Sequence, residues 1–260
     1  MPDELIVKGE GTVTRLYLNR PENRNAITPD LVNSIVNVLN RVDQDDSIRC
    51  LVITGTGGSF CAGFDLSYFS SKKGEEAREA SYIAEELGSR VRALRIPVIG
   101  MINGHAIGVG CDLAVSCDVR IASTDACFSM PPARLGVLYS EGGMRRLIQT
   151  VGIAVAKELL LSGDTFKAVK AYEIGLVNRV VEPENLESET NQFVQTVIDN
   201  APLSVSASKL ACNLVADSEP LGLEAQNLLN QSAEKVWRSE DSVEGPRAFR
   251  ERRKPLFRGK

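Results

Sequence analysis

The sequence predicts an α/β fold that ends in a helical region, and three observations predict it. Short apolar runs rich in β-branched residues alternate with longer helical patterns, an order that argues for parallel strands joined by crossover helices. Two such runs break on glycine into helix-like segments, at Phe60-Cys61-Ala62-Gly63-Phe64-Asp65-Leu66 and at Ile102-Asn103-Gly104-His105-Ala106-Ile107-Gly108-Val109-Gly110-Cys111-Asp112-Leu113-Ala114. From Gly142 onward helical patterns dominate, with Pro183, Pro202 and Pro220 near expected helix starts.

Taken in order, residues 5–18 carry β-branched residues around a Gly9-Glu10-Gly11 turn and predict a hairpin. Thr28 followed by Pro29 is a helix start. Leu31, Val32, Ile35, Val36, Val38, Leu39 and Val42 give that helix a buried face. Cys50-Leu51-Val52-Ile53 suits a buried strand. Residues 66–82 read as a polar connection, followed by a helix to about Arg95. Strand, glycine turn and helix recur over 97–116, and another strand is expected at 118–122. The sequence displays no internal repeat and no low-complexity linker.

Bulk composition narrows the function. The chain has 260 residues, enough for one or two domains with a sizeable core. A net charge of −4 gives no general affinity for nucleic acid or an anionic membrane. No stretch approaches a membrane span, and Met1-Pro2-Asp3-Glu4 lacks the basic-then-apolar order of a signal peptide. The cysteines at 50, 61, 111, 117, 127 and 212 form no C-x-x-C pair and mostly sit in apolar runs. They read as reduced core residues of a cytoplasmic protein. His105 is the only histidine, so no metal site is expected. A Ser-His-Asp hydrolase would have to use it, yet no G-x-S-x-G elbow is present. Gly108-x-Gly110 lacks the third glycine of a dinucleotide fingerprint.

The glycine segments carry the chemistry. Each places a tight turn before a helix start, where main-chain N–H groups lack partners. Two such points aimed at one spot would form an oxyanion hole. They fall within a longer pattern: Asn19-Arg20-Pro21-Glu22-Asn23-Arg24-Asn25-Ala26, Phe60-Cys61-Ala62-Gly63, Ile96-Pro97-Val98-Ile99 leading to Asn103-Gly104, Cys117-Asp118, Leu135-Gly136 and Gly175-Leu176-Val177. This order resembles the enoyl-CoA hydratase/isomerase (crotonase) superfamily from about residue 5 to the C-terminus. The resemblance implies a crotonase-like spiral of ββα units over 1–200 and a helical trimerisation region over 201–260. It implies an acyl-CoA substrate, no separate cofactor, and a homotrimer or dimer of trimers.

By the same resemblance the oxyanion donors are the N–H groups of Phe64 and Val109, and CoA contacts fall at Asn25, Ala26, Ala62, Asp65, Leu66 and Lys254. Hydratases of the family use two glutamates. Here the first position is Asp112, which keeps an acid, and the second is Pro132, which has none. Isomerases place one acid in the loop that here contains Glu141, so Asp112 and Glu141 are both candidate proton carriers. Phe128-Ser129-Met130-Pro131 with Leu135-Gly136-Val137-Leu138-Tyr139 is locally similar to methylmalonyl-CoA decarboxylase, which makes Tyr139 a candidate for orienting a substrate carboxylate. The readings that follow are hydration or migration of a C=C bond through an enolate, decarboxylation of an acyl-CoA, or acyl-CoA binding without turnover.

Overall fold

The structure is a computed structural model that describes residues 4–65, 75–217 and 222–260. Leu66 and Pro220 lie outside the described residues. The chain divides into two compact units, one of Met1–Leu94 with Val98–Thr190, the other of Arg95–Pro97 with Asn191–Lys260.

The first unit opens with the expected hairpin. Strands β1 (Leu5–Glu10) and β2 (Val13–Leu18) pair antiparallel from Leu5↔Leu18 to Glu10↔Val13. Gly9 and Glu10 therefore belong to the strand, and the turn falls on Gly11-Thr12. Helix α1 (Pro29–Gln44) starts where Thr28 and Pro29 predict, the Leu31 N–H donating to Thr28 Oγ1 at 3.2 Å. It buries Leu31, Val32, Ile35, Val38, Leu39 and Val42, whereas Val36, at the edge of the apolar stripe, is half-buried.

Strand β3 (Cys50–Gly55) is buried throughout and lies parallel to β2. After a tight turn the chain forms β4 (Ser59–Cys61). Helix α2 (Glu75–Ala93) begins inside the stretch that the sequence assigned to a polar connection. Its first turns hold Glu, Ala and Arg, good helix formers without an apolar period to betray them. Two further turns of the same kind follow. They are β5 (Val98–Ile102) with β6 (His105–Ile107) and helix α3 (Val109–Ser116), then β7 (Val119–Ser123) with β8 (Cys127–Ser129) and helix α4 (Glu141–Ser162). The unit continues through β9 (Thr165–Lys167), α5 (Ala168–Glu173) and β10 (Arg179–Val181).

Two sheets result. The long strands form one, in the order β1-β2-β3-β5-β7-β10, parallel except for β1. The short strands form the other, in the order β4-β6-β8-β9, with β9 antiparallel to β8. This is the spiral of ββα units that the resemblance implied. The second sheet was not foreseen, because its strands are three residues each, too short for an alternating pattern. The late strands β9 and β10 escaped notice for the same reason.

Two buried or half-buried asparagines brace the first turn of the spiral. Asn25 Nδ2 donates to Thr56 O at 2.9 Å and Ser59 O at 2.7 Å. Asn103 Nδ2 donates to Gly55 O at 3.0 Å and Gly57 O at 2.8 Å. Because β4, β6 and β8 are parallel neighbours, the chain leaves all three on one side. Residues 62–65 and 108–109 are thus brought together, and Gly108 is tied to Ser129 at the end of β8.

Helix α6 (Leu186–Ile198) crosses the division between the units, and α7 (Pro202–Asp217), α8 (Leu223–Arg238) and α9 (Glu240–Glu251) complete the helical C-terminal region. Its tail folds back on the start of α9, where the Asp241 carboxylate accepts from the Arg258 and Gly259 N–H groups, each at 2.7 Å.

Candidate active site

The site begins with backbone geometry. Gly63 has φ +97°, and a Cβ built there would meet Ile107 O at 2.7 Å and Val109 N at 3.7 Å. Only glycine permits both the conformation and the close approach of the β4 and β6 exits. A parallel bridge fixes the segment from its other side, since Ile27 N donates to Gly63 O at 2.7 Å and Asp65 N donates to Ile27 O at 2.8 Å. Peptide directions alternate along an extended chain, so the Phe64 N–H between them points away from Ile27.

Gly108 adopts φ +53°, ψ −117° at the cap of α3, a region that side chains exclude. Its N–H donates to Ser129 O at 2.8 Å, tying the turn to β8. Val109 is the first helical residue, and its N–H has no intrahelical acceptor. Main-chain donors on two adjoining exits, one at a helix N-terminus, can stabilise negative charge developing on a thioester oxygen.

Below Val109 lies a buried ionic cluster. Asp112 is 3% exposed and takes a bidentate contact from Arg146, Nε to Oδ1 at 3.0 Å and Nη2 to Oδ2 at 2.8 Å. Arg146 Nη1 also donates to Ser89 Oγ at 3.3 Å. Burial alone would lower the Arg146 pKa, but the hydrogen bonds and charge of Asp112 outweigh it and raise the value. The Tyr139 hydroxyl lies buried beside Asp112, without a well-formed hydrogen-bond partner among the described residues. Burial, then the Asp112 charge, push the phenol well above its ordinary pKa, so it stays protonated. Helix α2 approaches from the other side, and a Cβ at Gly88 would lie 2.6 Å from Arg146 Nη2 and 2.8 Å from Asp112 Oδ2.

Glu141 takes a different position. It is the first residue of α4, its side chain is 86% exposed, and it pairs with Arg145 at 3.3 Å. The adjacent Ser140 caps the helix by accepting from the Gly143 N–H at 3.2 Å. Pro132 opens a short 3-10 turn over Ala133–Leu135.

The expected CoA-contact residues are partly committed to the fold. Asn25 is fully buried with φ +58°, and its Oδ1 accepts from the Arg20 N–H at 2.9 Å, so its side chain is occupied on every side. Ala26 O accepts from Arg20 Nη1 at 2.7 Å, Ala62 N donates to Arg24 O at 3.0 Å, and Asp65 pairs with Arg20 at 3.2 Å. In the second unit Lys254 pairs with Asp199 at 2.5 Å. His105 is exposed, 3.5 Å from Ser59 Oγ.

Sequence reasoning passed over Arg146 and Glu85. Arg145-Arg146 is a doublet whose members look alike until helical phase sends one outward and one inward. Glu85 belongs to a Glu85-Glu86 doublet on a helix, and such a doublet carries no signal of its own.

Comparison with known proteins gives a consistent result. Residues 8–260 match the Enoyl-CoA hydratase/isomerase family. The chain is 35% identical over 259 residues to a crotonyl-CoA hydratase of Syntrophomonas wolfei, covering 98% of each. It is 35% identical over 258 residues to a 2,3-dehydroadipyl-CoA hydratase of Escherichia coli, covering 99% of each. Its structure resembles an enoyl-CoA hydratase crystal structure from Bacillus anthracis with TM-score 0.91 and 30% identity, covering 99% of this chain and 100% of that one.

Proposed function

The chain belongs to the enoyl-CoA hydratase/isomerase family, and from that premise we propose that it hydrates, or shifts, a C=C bond in an acyl-CoA thioester. It is an enzyme of that family. The observation that carries the reading is the apposition of the Gly63 and Gly108 turns, which sets the Phe64 and Val109 amides on adjoining chain exits. In this reading the thioester oxygen lies between those amides and draws the acyl chain toward an enolate. Asp112, one turn into α3, takes part in the proton traffic at the acyl chain, with Glu141 as the second candidate. Tyr139 stays neutral and offers its hydroxyl to the substrate. CoA would run along residues 25–26 and 62–65. No further cofactor is required by this chemistry.

Residues 201–260 would form the contacts of a homotrimer or a dimer of trimers. The absence of disulfides among the described cysteines suits a cytoplasmic enzyme.

The buried hydroxyl of Tyr139, without a well-formed hydrogen bond among the described residues, favours one second reading, decarboxylation, in which that hydroxyl would hold a substrate carboxylate. Mass spectrometry in heavy water with 2-enoyl-, 3-enoyl- and malonyl-type CoA thioesters separates the two. Water added to the 2-enoyl thioester, or a 3-enoyl thioester converted to the 2-enoyl with deuterium at carbon, supports the first reading. Loss of carbon dioxide from the malonyl type replaces it with the second.

A further inference from the structure

We propose that Glu85 supplies the second carboxylate of the site, the one position 132 cannot provide. The inference rests on the hydration and double-bond-shift reading above.

Glu85 and Gly88 lie three residues apart and share one face of α2. Gly88 marks where that face points, since a Cβ there would press on Arg146 Nη2, Asp112 Oδ2 and Ser116 Oγ. One turn earlier, the Glu85 carboxylate rests against Gly142 at the N-terminus of α4, and a Cβ at Gly142 would collide with Glu85 Oε1. Gly143 beside it is constrained too, its would-be Cβ lying 2.5 Å from Tyr139 Cε1. The two glycines thus make room for Glu85 and for the Tyr139 ring. Glu85, Asp112 and the Tyr139 hydroxyl are gathered around Arg146, whose charge acts on all three.

The carboxylates differ in how they are bound. Both oxygens of Asp112 are taken by the Arg146 guanidinium. Glu85 is half-buried and makes no hydrogen bond or ion pair among the described residues; the Arg146 charge and the α4 N-terminus stabilise it from a distance. A carboxylate that must gain and lose a proton in each cycle needs that freedom. Beside it, the Tyr139 hydroxyl is buried against Asp112 without a well-formed hydrogen bond, and could turn to substrate or water.

The step balances with Glu85 as the carboxylate that carries the proton and Asp112, fixed by Arg146, as the one that orients the water. Glu85 takes a proton from water as the water oxygen bonds to C3 and the C2=C3 pair moves into the thioester as an enolate. The Glu85 carboxyl then returns the proton to C2, the enolate pair forming the new C–H bond. Water is added and the carboxylate regenerated. For a 3-enoyl thioester the same group removes a proton from C2 and returns it to C4.

The test compares wild type, Glu85→Gln, Glu85→Asp and Gly142→Ala with four-carbon 2-enoyl- and 3-enoyl-CoA, following kcat, KM, the pH profile and the unfolding midpoint. Glu85→Gln is expected to lower kcat about 10²–10⁴-fold, with KM within about threefold and the acidic limb of the profile lost. Glu85→Asp should regain part of the rate. Gly142→Ala, which displaces a flexible side-chain end, should lower kcat with the unfolding midpoint little changed. A Glu85→Gln enzyme within threefold of wild-type kcat, or one slower with its acidic limb intact, overturns the assignment of Glu85 alone. A wild type that transforms neither thioester overturns the functional reading and this inference with it.

Discussion

At the residue scale the site turns on the Asp112–Arg146 pair. Asp112 was legible through the family resemblance, which expects an acid three residues after Val109, whereas Arg146 emerges only when three helices are packed. The resemblance could identify an acid but could not tell what would hold it. Glu141 illustrates the converse: its place before the glycine pair was plain, yet its side chain turns to solvent and Arg145. A buried pair is costly to break and cheap to replace, since removing one member strands the other charge. Arg146→Met is therefore expected to lower unfolding free energy by about 3–5 kcal/mol. The double variant Asp112→Leu with Arg146→Met should recover part of that loss in urea denaturation. A double variant no better than the single would place the cost in shape rather than in charge.

At the element scale, start signals were legible wherever chemistry marks them. Thr28 with Pro29 fixed the start of α1, and the Gly108 turn that of α3. The start of α2 and the three-residue strands carry no such mark, and they form because neighbouring strands offer hydrogen-bond partners, a cause outside the local sequence. The cap of α3 yields a second expectation. Alanine at position 108 cannot hold φ +53°, ψ −117° without strain, so the turn should relax and re-aim the Val109 N–H. Gly108→Ala should lower kcat about 10²–10³-fold, the cost of one oxyanion donor, with KM changed far less and helical circular dichroism retained. Unchanged kcat would exclude Val109 as a donor.

At the scale of the whole molecule, burial of unpaired thiols limits the pH range of stability. Cys61 on β4 and Cys111 on α3 are pushed by burial from 9.0 to about 12. Both stay protonated in the folded chain while the unfolded chain ionises them. Their contribution is thus complete below pH 9 and lost as pH rises toward 12, at about 1.4 kcal/mol per pH unit for each thiol. The raised Tyr139 adds to the loss above pH 10. Urea midpoints should be flat to about pH 8.5 and fall beyond 9, with a shallower fall in Cys61→Ala. The alternation of strand and helix made the α/β class readable, and the resemblance supplied the spiral, whose three turns repeat in geometry and not in residues. That repetition has a consequence for engineering. All three turns feed one place: the first two bring the Phe64 and Val109 amides together with the Glu85 and Asp112 carboxylates, and the third brings Tyr139. On the reading proposed above, grip and proton transfer would then share the same elements. A new acyl group admitted at position 64 or 109 would call for repacking at Glu85 and Asp112 as well.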